Sequence, residues 1–464
     1  MNAAMRMKDR LTPLILLAVL FAGLAAVAVK THPGDVRYDG VFYFIQLRSA
    51  YVDRDIDYRN EMERYPWVPK SYPWFRVLPS GKIACPYAIG SAMLWSPFYA
   101  VGDVYCHLRT SLFHKSYQCD GYSLIYVKSV VIGTCFWIAA GMVLIIYALK
   151  RLRGRLSLAL ISALVLALTS PLIFYPLLQA DYAHGNSFFA VSLLLYMTLV
   201  TQDHGERLSY HFLCGLCVGL AFLVRWQDVA TGVLPLAFIV LARDGGKATT
   251  GFRARMLRLT ALGCGAFLAA LPQLMYWSII YGAPVIVPQG DGYFTLQNIQ
   301  PLNFFISTWN GAFVFHPIYL LALIGLLGVP SKFFAGWDHD ARVLRSASVV
   351  VVGVGIFFTM MTSDWWGGGS FGQRRLIAML PVLALGLYHL LSLVVSARRR
   401  GLTLVATAFV VAVLLAGNGL LLLRHYQGKM PYNPGDASWY QSGVTYGQHD
   451  YVQRFSDILM GRKP

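Results

Sequence analysis

Residues 211–242 read HFLCGLCVGLAFLVRWQDVATGVLPLAFIVLA, an apolar run interrupted once, by RWQD at 225–228. The run is either one broken helix or a hairpin of two short helices, and the choice fixes the side of every later loop. Loop charge decides it. With a hairpin, three basic clusters share the side of the N-terminus: Lys150, Arg151, Arg153 and Arg155; then Arg243, Lys247, Arg253, Arg255 and Arg258; then 398–400. A single helix would place the later clusters opposite the first, against the tendency of Lys and Arg to stay on the cytoplasmic side.

Working outward, apolar runs of helix length recur at 11–29, 123–149, 156–178, 187–200, 257–281, 312–327, 346–361, 376–395 and 402–423. With the hairpin they make about eleven helices, N-terminus cytoplasmic. The first run follows Arg6, Lys8 and Arg10 and is long for a signal peptide, so it is read as an anchor. Composition agrees: 56% of the residues are hydrophobic and 13% charged, too little polar surface to cover a water-soluble globule. The formal charge of +17 comes from short clusters between apolar spans, suited to anionic lipid; no nucleic-acid motif accompanies them. The expected fold is an all-α polytopic membrane protein, with a transmembrane domain over 1–423 and an external tail over 424–464. There is no internal repeat.

In this topography residues 30–121 form the first external loop. It holds nine of the 22 acidic residues, which favours a folded layer over a tether. VFYFIQLRSAYV, with Val41, Phe44, Ile45 and Leu47, suits a helix lying at the membrane surface. YAIGSAMLWSPFYAVGDV suits a second such helix or a re-entrant one broken at Pro97. A bridge between two of Cys85, Cys106 and Cys119 fits an oxidising compartment, the pair being open, while Cys214 and Cys217 read as small packing residues.

Charged groups beside hydrocarbon are costly and mark functional candidates when several collect on one side. Asp35, Asp39, Asp181, His184, Arg225, Asp228, His316, Asp364, Arg374 and Arg375 all fall at expected external helix ends. Taken singly, each also reads as an interfacial cap or snorkelling side chain. In DWWGGGSFGQRRL, 364–376, glycines allow close backbone approach and the paired guanidiniums Arg374 and Arg375 suit a phosphate; otherwise Trp365 and Trp366 belong to the aromatic belt and the arginines anchor a helix. In QADYAHGNSFF, Asp181 orients an acceptor hydroxyl or caps a helix. Arg225 binds lipid phosphate or pairs internally with Asp228. Tyr65, Trp67, Trp74 and Trp95 stack on sugar rings or anchor the interface. There is no P-loop, HExxH or G-x-S-x-G, so ATP-driven transport, zinc proteolysis and elbow-type serine hydrolysis lack their parts. A carboxylate acting as base on a hydroxyl, with guanidinium opposing charge on a departing phosphate, describes sugar transfer from a lipid phosphate.

YDGVFYFIQLRSAYVDRDIDYRNE, YAIGSAMLWSPFYAVGD, DYAHGNSFF, GLAFLVRWQD, STWNGAFVFHPIYLLALIGLLG and DWWGGGSFGQRRLIAMLPVLALGL follow in that order through most of the chain. Together they resemble the GT-C superfamily of polyprenyl-phosphate-sugar-dependent glycosyltransferases, which includes protein O-mannosyltransferases and the lipid A aminoarabinose transferase, and within it the bacterial branch. The resemblance implies a bacterial inner-membrane, inverting enzyme that moves a monosaccharide to a hydroxyl of an envelope glycan, lipid or protein. Asp39 matches the family's base after helix one, with Asp35 in reserve. Many relatives carry two adjacent acids there, whereas here Gly40 follows, so Asp181, Asp55 or Asp57 is left to supply the second. Arg374 or Arg375 falls near the donor phosphate, and His184, His316, Trp365 and Trp366 are acceptor- or sugar-binding candidates. No cofactor is required; a divalent metal is compatible, with no ligand set evident. The rivals are an O-antigen-type glycan polymerase or ligase, also using arginines on polyprenyl carriers, and a lipid-linked-sugar transporter or flippase, which should show midplane charges and paired repeat halves.

Overall fold

A computed structural model describes residues 3–66, 68, 76–113, 118–153, 155–241, 251–290, 292–307, 310–328, 338–368, 371–397 and 400–427. Trp67, Trp74 and residues 428–464, most of the expected external tail, lie outside them. Among the described residues the structure is helical, with two isolated antiparallel bridges, Val77 with Ile83 and Phe294 with Thr362. Among the described residues six helices are long and apolar enough to cross a membrane: Leu11–Thr31, Leu124–Leu152, Phe252–Tyr281, Arg342–Met361, Arg374–Ser396 and Gly401–Tyr426. A seventh is counted if the bent pair Leu156–Leu168 and Pro171–Leu178 is one span. Shorter apolar helices, Leu208–Val224, Trp226–Leu241 and Ile318–Leu327, occupy other expected runs.

The chain forms two compact units, Met1–Ile145 with Tyr175–Asp291, and Ile146–Phe174 with Gly292–Pro464. In chain order the helices used below are α1 (Ala3–Thr31), α2 (Asp39–Arg48), α3 (Arg59–Arg64), α4 (Gly90–Phe113), α5 (Leu124–Arg153), α6 (Leu156–Leu168), α7 (Phe174–Leu178), α8 (His184–Asp203), α9 (Leu208–Val224), α10 (Val233–Leu241), α11 (Phe252–Tyr281), α12 (Pro301–Ile306), α13 (Ala312–Phe315), α14 (Ile318–Leu327), α15 (Asp338–Met361), α16 (Leu380–Ser396) and α17 (Arg400–Tyr426).

In the first unit, the run at 211–242 breaks where its sequence breaks. Arg225 is extended after α9, a short 3-10 turn covers Trp226–Gly232, and α10 follows. Gly232 packs directly against the Val218 side chain, and Ile239 joins the cluster of Cys214, Cys217 and Val218, so the chain doubles back. Gly215 and Gly219 of α9 lie against backbone atoms of Leu262 and Ala266 in α11, and Gly265 against Phe212; small residues let these helices meet backbone to backbone.

The first loop is a folded layer held to α11 by directed bonds. Ser80 Oγ donates to Ile280 O at 2.7 Å, the Ile89 N–H donates to Gln273 Oε1 at 2.8 Å, and the Tyr58 and Tyr276 hydroxyls meet at 3.0 Å. Two details differ from expectation. Helix α2 has no exposed polar face: every residue from Gly40 to Leu47 is buried, and the buried Gln46 donates its amide nitrogen to Tyr87 O at 2.8 Å. Helix α4 runs through Pro97 without a break. Proline has no N–H for the carbonyl four residues back, and the Ser96 hydroxyl donates to that Met93 carbonyl instead, at 2.8 Å. A disulfide joins Cys106 to Cys119 beside α4, leaving Cys85 buried and reduced.

Within the same layer Arg48 Nη1 contacts both Asp53 and Glu61, the latter at 3.0 Å, with its guanidinium 4.5 Å from the Tyr122 ring centroid. Burial pushes the Glu61 carboxyl up to about 7, against the opposing pull of the Arg48 hydrogen bond.

In the second unit, α14 and α16 cross with Gly325 against Gly386 O and Gly386 against Ala322 O. Asn418 of α17 donates to Leu168 O at 2.7 Å, tying α17 to the end of α6. Residues 293–298 run beside the end of α15: the Ser363 N–H donates to Tyr293 O at 2.9 Å and the Thr295 N–H to Met361 O at 3.0 Å.

Candidate functional site

The first-unit candidates gather where α1 gives way to α2. Asp39 is the first residue of α2, half-buried, where the exposed N–H groups of the first helical turn favour a negative charge. Tyr38, just before it, has φ 51° and ψ −128°, the conformation that a type II′ turn demands at its first central position and that glycine ordinarily fills. The Gly40 N–H closes the turn on Arg37 O at 3.0 Å. A tyrosine in that region stores backbone strain, which persists where surrounding contacts enforce it and concentrates at functional sites.

Those contacts come from Asp181. Its side chain is almost fully buried; Oδ2 accepts the Arg37 N–H at 3.1 Å and Oδ1 lies 3.9 Å from His32 Nε2. A Cβ on Gly40 would fall 1.8 Å from Asp181 Oδ2, so the carboxylate fills the space a side chain at position 40 would need. The absence of a second acid next to Asp39 and the burial of Asp181 are thus one structural fact. Asp181 does not cap α8, whose N-cap is Ala183 with no side-chain cap.

The other acidic candidates are engaged elsewhere. Asp55 accepts from Ser49 Oγ at 2.6 Å and from the Asp57 N–H at 3.1 Å. Asp57 is bound by Arg59, which holds its carboxyl below the usual carboxylate range. Asp35 is exposed, accepts the Val36 N–H at 2.8 Å and lies 3.8 Å from Arg37 Nε. His184 is buried among rings, 4.7 Å from Tyr175 and 6.2 Å from Tyr182. Arg225 is nine-tenths buried, 3.9 Å from Asp228, whose other oxygen accepts from Ser187 Oγ at 2.5 Å; the internal pairing is the arrangement observed. Tyr65 and Trp95 are core residues, and the Trp95 indole donates to Thr134 Oγ1 at 2.9 Å.

His32 is the residue that the sequence reading missed. It is buried, and its Nδ1 accepts the Gly34 N–H at 3.2 Å, so the neutral ring carries its hydrogen on Nε2, facing Asp181. Lys128 Nζ donates to Val29 O at 2.5 Å and His32 O at 3.1 Å, satisfying carbonyls at the end of α1 and fixing the backbone there. The available signal was HPGD at 32–35, a histidine and a turn at the edge of an apolar run. Among the described residues no group of three or more His, Cys, Asp or Glu side chains is placed to hold a metal ion.

In the second unit, DWWGGGSFGQRRL divides its two arginines. Arg375 is nearly buried and donates to Thr362 Oγ1 (3.1 Å), Asp364 O (2.6 Å), Tyr293 Oη (2.9 Å) and both Asp364 carboxylate oxygens (2.7 Å each). Arg374 is half-buried, with its guanidinium beside the turn at Gly367 and Gly368, whose φ angles are 81° and 66°. Trp365 is buried and stands edge-on to the half-buried Trp366 at 5.8 Å. His316 is wholly buried against Phe371 at 5.3 Å. Gly372, at φ 61°, lies so close that a Cβ would reach 2.2 Å from His316 Nε2. His316 therefore packs under the glycine loop.

No family model matches the chain, and no curated protein matches its sequence. Among solved structures it is similar to the oligosaccharyltransferase of Archaeoglobus fulgidus in the apo form, with a TM-score of 0.50 and 12% identity over 97% of this chain and 60% of that one. The oligosaccharyltransferase AglB from Archaeoglobus fulgidus, in complex with an inhibitory peptide and a dolichol-phosphate, gives 0.51 and 12% over 98% and 60%. A third structure, tethered to an acceptor peptide containing the NVT sequon, gives 0.50 and 12% over 97% and 59%. The likeness shows the fold alone, a largely helical architecture shared with those structures, and the chain spans about 60% of the length of those proteins.

Proposed function

We propose that the chain is a membrane glycosyltransferase that moves a sugar from a polyprenyl-phosphate donor to a hydroxyl of an envelope glycan, lipid or protein. The observation that carries this reading is the carboxylate pair at the start of α2: Asp39 on a strained turn, backed through Gly40 by the buried Asp181. The GT-C-like fold supports it, and the dolichol-phosphate in one similar structure favours a lipid-phosphate donor. The disulfide in the first loop supports placing that loop in an oxidising compartment such as the periplasm, with the N-terminus in the cytoplasm.

In this mechanism Asp39 takes the proton of the acceptor hydroxyl as its oxygen bonds to the anomeric carbon. The bond from that carbon to the phosphate oxygen breaks, polyprenyl phosphate leaves with the electron pair, and the anomeric centre inverts. Asp181 holds the Arg37–Gly40 turn and so aims Asp39. Arg374, considered within the second unit alone, is the candidate for binding a lipid phosphate.

The test is mass spectrometry of lipid that stays with the purified protein, set beside transfer assays of Asp39→Asn. A sugar-bearing isoprenoid monophosphate, with Asp39→Asn abundant but inactive, is the expected result. Full activity of Asp39→Asn removes the base. A pyrophosphate-linked oligosaccharide would favour a glycan ligase or an oligosaccharyltransferase-like activity.

A further inference from the structure

We propose that Arg375 is a positioning residue which locks the segment 293–298 to the end of α15, and that it does not bind the donor phosphate. The part concerning the donor rests on the function proposed above; the lock itself does not. The two terminal nitrogens of Arg375 meet five acceptor atoms on Thr362, Asp364 and Tyr293 at 2.6–3.1 Å, which commits every hydrogen on those nitrogens. A bidentate grip on phosphate needs two parallel N–H groups, and only Nε–H remains outside this set. The charge is answered as well, by the Asp364 carboxylate at 2.7 Å.

What Arg375 joins explains the arrangement. Residues 293–298 are held to the end of α15 by a short ladder: Tyr293 O with the Ser363 N–H, the Thr295 N–H with Met361 O, the bridge of Phe294 with Thr362, and Asn298 Nδ2 with Met361 O at 2.8 Å. So small a ladder is weak by itself. Arg375, arriving from the 3-10 turn Arg374–Met379, fastens both sides at once, through the Tyr293 hydroxyl on one and through Thr362 and Asp364 on the other. Because Arg374 is the neighbouring residue of that turn, anchoring Arg375 also fixes the backbone from which Arg374 extends.

Asp364→Asn separates the two roles because they predict opposite signs. If Arg375 were a phosphate ligand, weakening its carboxylate partner would free it and tighten polyprenyl-phosphate binding. If it is a lock, the segment loosens and binding weakens. The full chain in lipid nanodiscs is exposed to chymotrypsin, with cleavage at Tyr293 and Phe294 as one readout, and titrated with a polyprenyl phosphate by native mass spectrometry as the other. Arg375→Lys and Asp364→Asn should each speed cleavage at least ten-fold and weaken lipid binding several-fold. Asp364→Glu should restore protection, and Tyr293→Phe, which removes one bond and leaves the core intact, should give an intermediate cleavage rate. Unchanged cleavage in Arg375→Lys and Tyr293→Phe, or tighter lipid binding by Asp364→Asn, overturns the proposal. A wild-type protein that takes up no polyprenyl phosphate refutes the functional reading alone, while the cleavage rates still judge the lock.

Discussion

Adding one methyl group at Gly40 should disable the proposed acid pair without touching either acid. In Gly40→Ala the new carbon would start 1.8 Å from Asp181 Oδ2, far inside the roughly 3.5 Å at which non-bonded heavy atoms rest. The helix backbone at position 40 is buried and fixed, so the carboxylate must retreat by well over an ångström. That takes Oδ2 beyond hydrogen-bond reach of the Arg37 N–H, now at 3.1 Å, and leaves a buried charge less satisfied. A lost hydrogen bond to a charged group costs about 1.5–3 kcal/mol. Overpacking adds about 1–3 kcal/mol, and the better helix propensity of alanine returns about 1 kcal/mol. The net expectation is a destabilisation of about 1.5–5 kcal/mol. Thermal unfolding at one scan rate reads it through a double-mutant cycle with Asp181→Ala. Because Asp181→Ala removes the carboxyl atoms that would lie at 1.8 and 2.3 Å and leaves only the Cβ at 2.9 Å, Gly40→Ala should cost much less in that background. Equal costs in both backgrounds, or a Gly40→Ala protein as stable as the wild type, would refute the proposed contact.

Other perturbations test separate parts of the structure. Arg374→Gln should weaken polyprenyl-phosphate binding by roughly ten-fold, the loss of about one charge-assisted contact, with thermal stability unchanged; equal affinity in titration removes Arg374 from the donor site. Glu61 favours its protonated form in the folded state, so the fold binds more protons than the unfolded chain between the usual 4.5 and about 7, and its stability contribution declines as pH rises through that window. Glu61→Gln should flatten that slope, as unfolding scans across pH would show. Cys106→Ser should lower stability by about 2–4 kcal/mol, and a reductant should lower the wild type to the same level without affecting the variant further; a reductant-insensitive wild type contradicts the bridge.

Residues that state their own solvent preference were readable from the chain alone. The apolar runs, the basic loops and the break at 225–228 each depend on local composition, and the chain does double back after Arg225, whose charge and partner Asp228 interrupt the run. Asp39 was legible for the same reason, as a carboxylate at the end of an apolar span. The role of Gly40 was not, because its meaning lies in Asp181, whose contact with Arg37 spans 144 residues. Nor does any local signal show that Ser96 carries α4 through Pro97, that α2 is buried on every side, or that His32 faces Asp181. Both arginines of QRR read alike as phosphate ligands, and only packing consigns Arg375 to Asp364, Thr362 and Tyr293. Transfer between water and lipid is decided residue by residue, so sequence alone marked which segments are apolar enough to enter a membrane. Hydrogen bonds and steric exclusion act over a few ångströms between groups that folding alone brings together, so tertiary structure decided which of the polar groups are committed to the fold.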